Sequence, residues 1–173
     1  FVNYRNSLKF LNAARTHARF ARDFHEKADI YIINTCTVTA IAEKKCRTAI
    51  RQAIAQNPEA TVAVIGCFAQ NNAKSVAQIK GVKYILGNHD KQRLLDYILS
   101  CSPTTIAVEE PKSFNLAYSS SDRTRTFFKV QDGCDYFCTY CAIPFARGRS
   151  RSASVAETVA TARQIANSGS KEV

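Results

Sequence analysis

Apolar positions along the chain follow two alternating rhythms. Residues 29–36, Asp-Ile-Tyr-Ile-Ile-Asn-Thr-Cys, form a short β-branched run, and Thr61–Cys67 and Val82–Leu86 form two more. Runs of this length, bounded by Asp, Asn, Pro or Gly, predict buried strands. Between them the period lengthens. Cys46, Ile50 and Ile54 fall at i, i+4 and i+8 with Ala49 and Ala53 beside them, which predicts a helix ended by Asn57-Pro58. A polar helix over residues 72–80 and an amphipathic helix carrying Leu94, Leu95, Ile98 and Leu99 continue the alternation. Strand and helix taking turns in this way predict an α/β fold built on a parallel, doubly wound sheet. Residues 1–28 are expected to hold a first strand and helix, although Asn3-Tyr4-Arg5-Asn6 is a weak opening for a buried strand.

The pattern changes after residue 101. Ser102-Pro103, Glu109-Glu110-Pro111 and Ser119-Ser120-Ser121 have turn chemistry, so 102–125 reads as a linker, interrupted at most by a short strand over Thr105–Val108. Thr126–Gln131 predicts a new strand that leads into a cysteine-rich loop. Val155, Val159, Ala162, Ile165 and Ala166 predict the apolar face of a helix capped by Ser152 or Ser154. Lys171-Glu172-Val173 resembles the start of a further strand. The expected organisation is therefore a sheet domain over 1–101, a linker over 102–125, and the truncated opening of a second domain over 126–173.

Composition narrows the chemistry. Lys and Arg number 24 and Asp and Glu 14, a formal net charge of +10. Such an excess suits a polyanionic partner, or simply a soluble basic surface. No run of about 18 apolar residues is present, which excludes a spanning helix, and no basic, apolar, small-residue leader opens the chain. A cytoplasmic protein with no membrane partner is expected. Seven cysteines without an export signal shift the expectation from disulfides towards metal or redox chemistry. The absence of any Met is unusual at 173 residues and points to a fragment, or to missing residues.

The strongest chemical signal is Cys134-Asp-Tyr-Phe-Cys138-Thr-Tyr-Cys141. Three thiolates on one loop can converge on a single centre. A structural zinc normally takes a fourth protein ligand, and an electron-transfer iron–sulfur cluster usually takes four cysteines. Three cysteines leave one iron of a [4Fe–4S] cluster open to a small molecule. Cys36 and Cys67 each end a predicted parallel strand, and such ends share the edge where doubly wound sheets open a binding crevice. Two thiols can meet there, or each can be a small core residue.

The Cys-x3-Cys-x2-Cys loop, with Tyr140 just before the last cysteine, resembles the radical S-adenosylmethionine signature. The segment from Phe128 to Arg151, Phe-Lys-Val-Gln-Asp-Gly-Cys-Asp-Tyr-Phe-Cys-Thr-Tyr-Cys-Ala-Ile-Pro-Phe-Ala-Arg-Gly-Arg-Ser-Arg, resembles the methylthiotransferases, and so do Asn34-Thr-Cys-Thr-Val-Thr39 and Gly66-Cys-Phe-Ala-Gln70. The resemblance implies a methylthiotransferase amino-terminal domain followed by the start of a radical-S-adenosylmethionine partial (β/α) barrel. It implies two [4Fe–4S] clusters. Cys134, Cys138 and Cys141 would hold the one that cleaves S-adenosylmethionine, with Tyr140 at the cofactor, and Cys36 and Cys67 would help to hold the other, which supplies sulfur. A tRNA substrate and an external electron donor are implied, while the sulfur donor stays open.

Arg147-Gly-Arg-Ser-Arg151 resembles the branch that adds a methylthio group to C2 of threonylcarbamoyladenosine beside the anticodon. A sibling acting on isopentenyladenosine tRNA or a ribosomal protein is the near alternative, and a non-catalytic zinc or iron–sulfur RNA-binding module the distant one. The sequence departs from the family at the third ligand of the second cluster. Ser7-Leu8-Lys9-Phe10-Leu11-Asn12 takes the place of a Leu-Gly-Cys-Lys-x-Asn-like turn, without Gly or Cys. Either that ligand is lost or residues between Leu8 and Lys9 are absent; we read Ser7-Leu8 and Lys9…Asn12 as the two sides of the motif, with residues missing between them. Cys46 falls on a buried helical stripe and is expected to be no substitute, while Cys101 reads as a plain thiol in a turn. His17, His25 and His89 share no ligand spacing. Lys44, Arg47 and Arg51 read as a solvated basic face, with RNA phosphate as a second use.

Overall fold

The computed structural model describes residues 27–101, 105–109, 114–119 and 125–173. Apart from residues 27 and 28, the strand and helix expected over 1–28 lie outside the described residues, as does the Leu8–Lys9 join. The described elements begin with β1 (Ile30–Thr35), α1 (Ala40–Gln56), β2 (Thr61–Gly66), α2 (Cys67–Ala77) and β3 (Val82–Leu86). A 3-10 turn (Asp90–Arg93), α3 (Leu94–Leu99) and β4 (Thr105–Ala107) follow. The four strands form one sheet in the order β1-β2-β3-β4, parallel throughout. This is the expected parallel α/β architecture.

Helices cover both faces of the sheet. On one face Ile50 and Ala53 of α1 and Phe68, Ala69 and Val76 of α2 pack against Tyr31, Ile33, Val62, Val64 and Ile85. On the other, Leu94 of α3 packs with Ala63, Ile65, Tyr84 and Leu86. β2 is buried on both faces from Val62 onward, as expected of a central strand. β1 differs, because its burial alternates: Tyr31, Ile33 and Thr35 are buried and the intervening residues only half-buried. It is one of the two edge strands among the described residues, and one of its faces is only partly covered.

Local chemistry sets the helix limits. The Thr39 hydroxyl accepts from the Ala42 N–H at 3.1 Å and starts α1. Asn57 ends it, with its N–H on the Ala53 carbonyl, and Pro58 blocks continuation. Gly66 ends β2 one residue earlier than the sequence pattern suggests. Its φ is +100°, and a Cβ there would lie 2.7 Å from the Thr35 carbonyl oxygen. Cys67 therefore opens α2 rather than closing β2. α2 kinks at Asn72, so a short helical piece from Cys67 precedes the helix read from the sequence at 72–80, whose helical part ends at Ala77.

Residues 125–173 are built differently. The single strand expected over Thr126–Gln131 splits at the exposed Val130. Its first half, β6 (Phe128–Lys129), pairs antiparallel with β5 (Ala117–Tyr118), while its second, β7 (Gln131–Asp132), pairs with β8 (Arg151–Ser152). Between β7 and β8 lie the cysteine loop and the short helix α4 (Ile143–Arg147). The last helix, α5 (Val155–Asn167), is capped by Ser154 rather than Ser152, through a reciprocal box with Glu157. Ile165 of its apolar stripe is buried, but Val155 is 81% exposed and Val159 45%. The expected strand at 171–173 is present as an isolated parallel bridge between Arg125 and Glu172. No barrel is closed among the described residues.

Candidate functional site

The carboxyl ends of the parallel strands converge on one edge. Thr35 and Gly66 are paired in register, so Cys36 and Cys67 follow on adjoining strands at the same edge. Leu86 pairs with Ile65 on the next strand, which brings Gly87-Asn88 to that edge as well. The Thr35 hydroxyl donates to the Ile65 carbonyl at 2.7 Å and accepts from the Ala69 N–H at 3.3 Å, pinning the first turn of α2 to β1. Cys67 is thereby buried, whereas Cys36 is half-buried.

Cys46 sits against the backbone of Cys36. The Cys36 N–H donates to Cys46 Sγ at 3.5 Å, and that thiol faces the Cys36 carbonyl at 3.7 Å. Burial pushes the Cys46 thiol above its ordinary range. It lies on the helical stripe as expected, packed at the margin of the core. Cys101 is exposed beyond α3, with φ +48°.

The cysteine loop is an open excursion. Cys134 and Cys141 are half-buried and Cys138 is exposed. The Cys141 N–H closes a turn on the Cys138 carbonyl at 2.9 Å, and the Cys134 N–H donates to the Gly148 carbonyl at 3.1 Å. Asp135 accepts from the Ser150 N–H at 3.1 Å. Phe137 holds a positive φ of 47°, an unusual conformation for an aromatic residue. Its ring meets Phe145 edge to face at 6.1 Å, with the Arg149 guanidinium 5.3 Å from its centroid. Tyr140 is 90% exposed. Among the described residues no three His, Cys, Asp or Glu side chains are gathered into a metal-holding group. The donor set nevertheless suits an iron–sulfur cluster, since it offers three soft thiols on one loop.

The loop is held against the sheet edge. α4 packs on α2, and Asn88 Nδ2 donates both to the Ala146 carbonyl at 2.7 Å and to Cys67 Sγ at 3.4 Å. Arg147 is near enough to Cys67 for the two to act on each other electrostatically. Its guanidinium lies 3.5 Å from the Asp132 carboxylate, to which Lys129 is paired at 2.7 Å. Burial alone would raise the Asp132 carboxyl, but the hydrogen bond and charge of Lys129, with the charge of Arg147, outweigh it and hold the group below the usual carboxylate range. Lys91 is pushed the other way, below the usual lysine range, by burial and then by the neighbouring Lys129. Burial works against the charge of Arg147 as well, yet Cys67, Asp132 and Cys36 together outweigh it and hold the group above its ordinary value.

The basic face of α1 divides. Lys44 and Arg51 are exposed, but Arg47 stacks 4.9 Å over the Phe68 ring and donates to Ser75 Oγ at 3.0 Å. The sequence reading overlooked Asn88, Lys91 and Asp132. For Asn88 a signal was available, since Gly87-Asn88 directly follows a third parallel strand and must reach the same edge as Cys36 and Cys67.

A family profile described as uncharacterized protein family UPF0004 matches residues 2–87. Over 160 residues the chain is 39% identical to the threonylcarbamoyladenosine tRNA methylthiotransferase of Bacillus subtilis, a match covering 88% of this chain and 36% of the relative. The enzyme of the same name from Aquifex aeolicus is 38% identical, covering 87% and 38%. The tRNA-2-methylthio-N(6)-dimethylallyladenosine synthase of Protochlamydia amoebophila is 29% identical, covering 84% and 34%. The chain thus spans little more than a third of the length of these curated relatives.

Proposed function

We propose that this chain, which belongs to the methylthiotransferase family, forms the amino-terminal sheet and the cluster-binding loop of an enzyme that adds a methylthio group to C2 of threonylcarbamoyladenosine in tRNA. In this reading residues 1–101 are the sheet domain, 102–125 the linker and 126–173 the opening of the radical domain. Cys134, Cys138 and Cys141 would hold one [4Fe–4S] cluster, with Tyr140 beside S-adenosylmethionine, and Cys36 and Cys67 would help to hold a second. When bound, these groups supply the reductive cleavage of S-adenosylmethionine and the sulfur atom that the substrate receives.

The chain's own residues bind and orient. β1 and β2 deliver two thiols to one edge, and the turn at Gly66 fixes where the second of them points off the sheet. α4 and Asp132 hold the loop beside that edge. The lysines and arginines around Asp132 leave a local excess of positive charge, which favours anionic thiolates and an anionic substrate. The observation that carries the reading is this juxtaposition: the loop of three thiols is followed by a helix that packs on the element beginning at Cys67. A tRNA substrate fits the net charge of +10 and a cytoplasmic location, and the reaction calls for an external electron donor. Among the described residues no helix is long and apolar enough to cross a membrane.

The test is anaerobic reconstitution of the full-length protein with iron and sulfide, followed by incubation with S-adenosylmethionine, reductant and tRNA. Two clusters per chain, 5′-deoxyadenosine release and a methylthio group on threonylcarbamoyladenosine are expected. Modification of isopentenyladenosine instead would move the chain to the sibling branch, and tight zinc binding without a visible chromophore would replace the enzyme by a binding module.

A further inference from the structure

Asn88 lies between the two cysteine sites. It follows β3 at the carboxyl edge of the sheet, where Gly87 leaves room for its neighbours: a Cβ at Gly87 would strike Gln70 Oε1 and crowd Val108. That opening lets Gln70 reach in from α2, accept from the Asn88 N–H at 2.9 Å and donate to the Glu109 carbonyl at 3.2 Å. The Asn88 backbone is thus clamped, and its side chain projects towards Cys67 and α4. The Ala146 carbonyl can only accept, so the atom 2.7 Å from it must be the amide nitrogen. The same nitrogen faces Cys67 Sγ at 3.4 Å. One amide group therefore serves a sulfur of the sheet edge and a backbone carbonyl of the helix that follows the cysteine loop.

We propose that Asn88 is a positioning residue that bridges the two cysteine sites, anchoring α4 through one N–H while its other N–H donates to the Cys67 sulfur and tunes any cluster held there. The tuning half rests on the proposed role of Cys67 as a ligand; the anchoring half does not. A hydrogen bond to a ligating sulfur withdraws negative charge from a cluster. It stabilises the reduced, more anionic state more than the oxidised one and so raises the reduction potential. A motion of α4 would carry the Ala146 carbonyl with it, change the Asn88 geometry, and be felt at Cys67.

The experiment compares wild type, Asn88→Ala, Asn88→Asp and Asn88→Gln in the full-length protein. In cluster-free protein, hydrogen exchange at the Ala146 and Gly148 amides is expected to quicken several-fold in Asn88→Ala. In reconstituted protein with wild-type iron content, the potential of the sheet-edge cluster should fall, while that of the loop cluster stays in place. Asn88→Asp, which keeps the shape but loses both N–H donors and adds negative charge, should lower it further. Asn88→Gln, which keeps an amide, should restore part of the shift. Unchanged exchange in α4 overturns the anchor, and an unchanged sheet-edge potential in Asn88→Ala overturns the tuning. Should wild type take up no sheet-edge cluster, the proposed function fails at that site and the tuning falls with it, whereas the exchange measurement still decides the anchor.

Discussion

The sheet region and the cysteine-loop region solve different problems with the same chain. Over residues 27–101 most long apolar side chains of the strands are buried, with Ile30, Ile32 and Val82 half-buried, and Phe68, Ile50, Ile85, Leu86 and Leu94 are fully enclosed. Over residues 125–173 only Ala146 and Ile165 reach that state among the hydrophobic residues, while Tyr136, Tyr140, Phe145 and Val155 are more than two-thirds exposed. The sheet is held by apolar contact. The loop is held by named polar links: Cys134 to Gly148, Asp135 to Ser150, Asp132 to Lys129 and Arg147, and Asn88 to Ala146. Truncation of a core side chain in the first region should therefore cost stability, and truncation of a loop cysteine in the second should cost chemistry.

The largest effect belongs to the loop. Replacing Cys134, Cys138 or Cys141 by Ala in the full-length protein should abolish 5′-deoxyadenosine formation, because a methyl group supplies no thiolate to iron. Thermal unfolding of the cluster-free protein should hardly change for Cys138→Ala, since the side chain replaced is exposed. Replacing Cys36 or Cys67 should act differently. Methylthio-tRNA should be lost while uncoupled 5′-deoxyadenosine formation persists. Normal tRNA methylthiolation by Cys138→Ala would overturn the assignment of the loop.

The largest purely structural effect belongs to the sheet. Phe68 is fully buried between α2 and the sheet, with Arg47 over its ring. Phe68→Ala should cost about 3–5 kcal/mol, the range for emptying an aromatic site in a packed core, read as a lower urea midpoint. A loss as small as that for an exposed residue would mean that the face shared by α1 and α2 is not the core described.

The same contrast explains what was legible in the sequence. The sheet was readable because burial and period are one signal: β-branched runs at 30–35, 61–66 and 82–86 became parallel neighbours, and the Cys46–Ile50–Ile54 stripe became the inner side of α1. Boundaries were harder. Nothing in the apolar pattern says that Gly66 adopts a positive φ, so the pattern alone runs the strand on through Cys67, which in the structure opens the helix. The stretch from Thr126 to Gln131 alternates like one strand, but its partners come from distant segments, and two of them divide it at Val130. The cysteine spacing was conspicuous. Its surroundings were not, because Asp132, Lys91 and Asn88 act through contacts that periodicity does not encode.

Asp132 offers a sharper probe of the polar links. Its carboxyl lies below the usual carboxylate range, so its stabilising effect is present above that range and is lost as pH falls through the lowered folded value. Asp132→Asn keeps the shape and discards the charge that Lys129 and Arg147 share. A cost of about 1.5–3 kcal/mol is expected at neutral pH, the scale of hydrogen bonds to charged groups. The variant should also lose stability less steeply than wild type on acidification. Equal acid sensitivity in both proteins would remove Asp132 from the forces that hold the loop.

The smallest effect is expected at the start of α5, where the contrast is finest. Ser154 Oγ accepts from the Glu157 N–H at 3.2 Å, and the Glu157 carboxylate accepts in return from the Ser154 N–H at 3.0 Å and from the Ser154 hydroxyl at 2.7 Å. These bonds satisfy donors that the first turn of a helix leaves open, and they hold the Glu157 carboxyl below its usual range. The Val155 side chain beside them is exposed and offers little packing in compensation. Ser154→Ala should therefore fray the first turn, seen as faster hydrogen exchange at Glu157 and Thr158, while α1, whose cap at Thr39 is untouched, keeps its exchange rates. In wild type the box is intact above the ordinary carboxylate range and opens as pH falls through the lowered value for Glu157. The Ser154→Ala helix should show little of that pH dependence. If acidification frays the α5 start equally in both proteins, packing rather than the box holds that end, and the loop region would be closer in kind to the sheet than its exposed surface indicates.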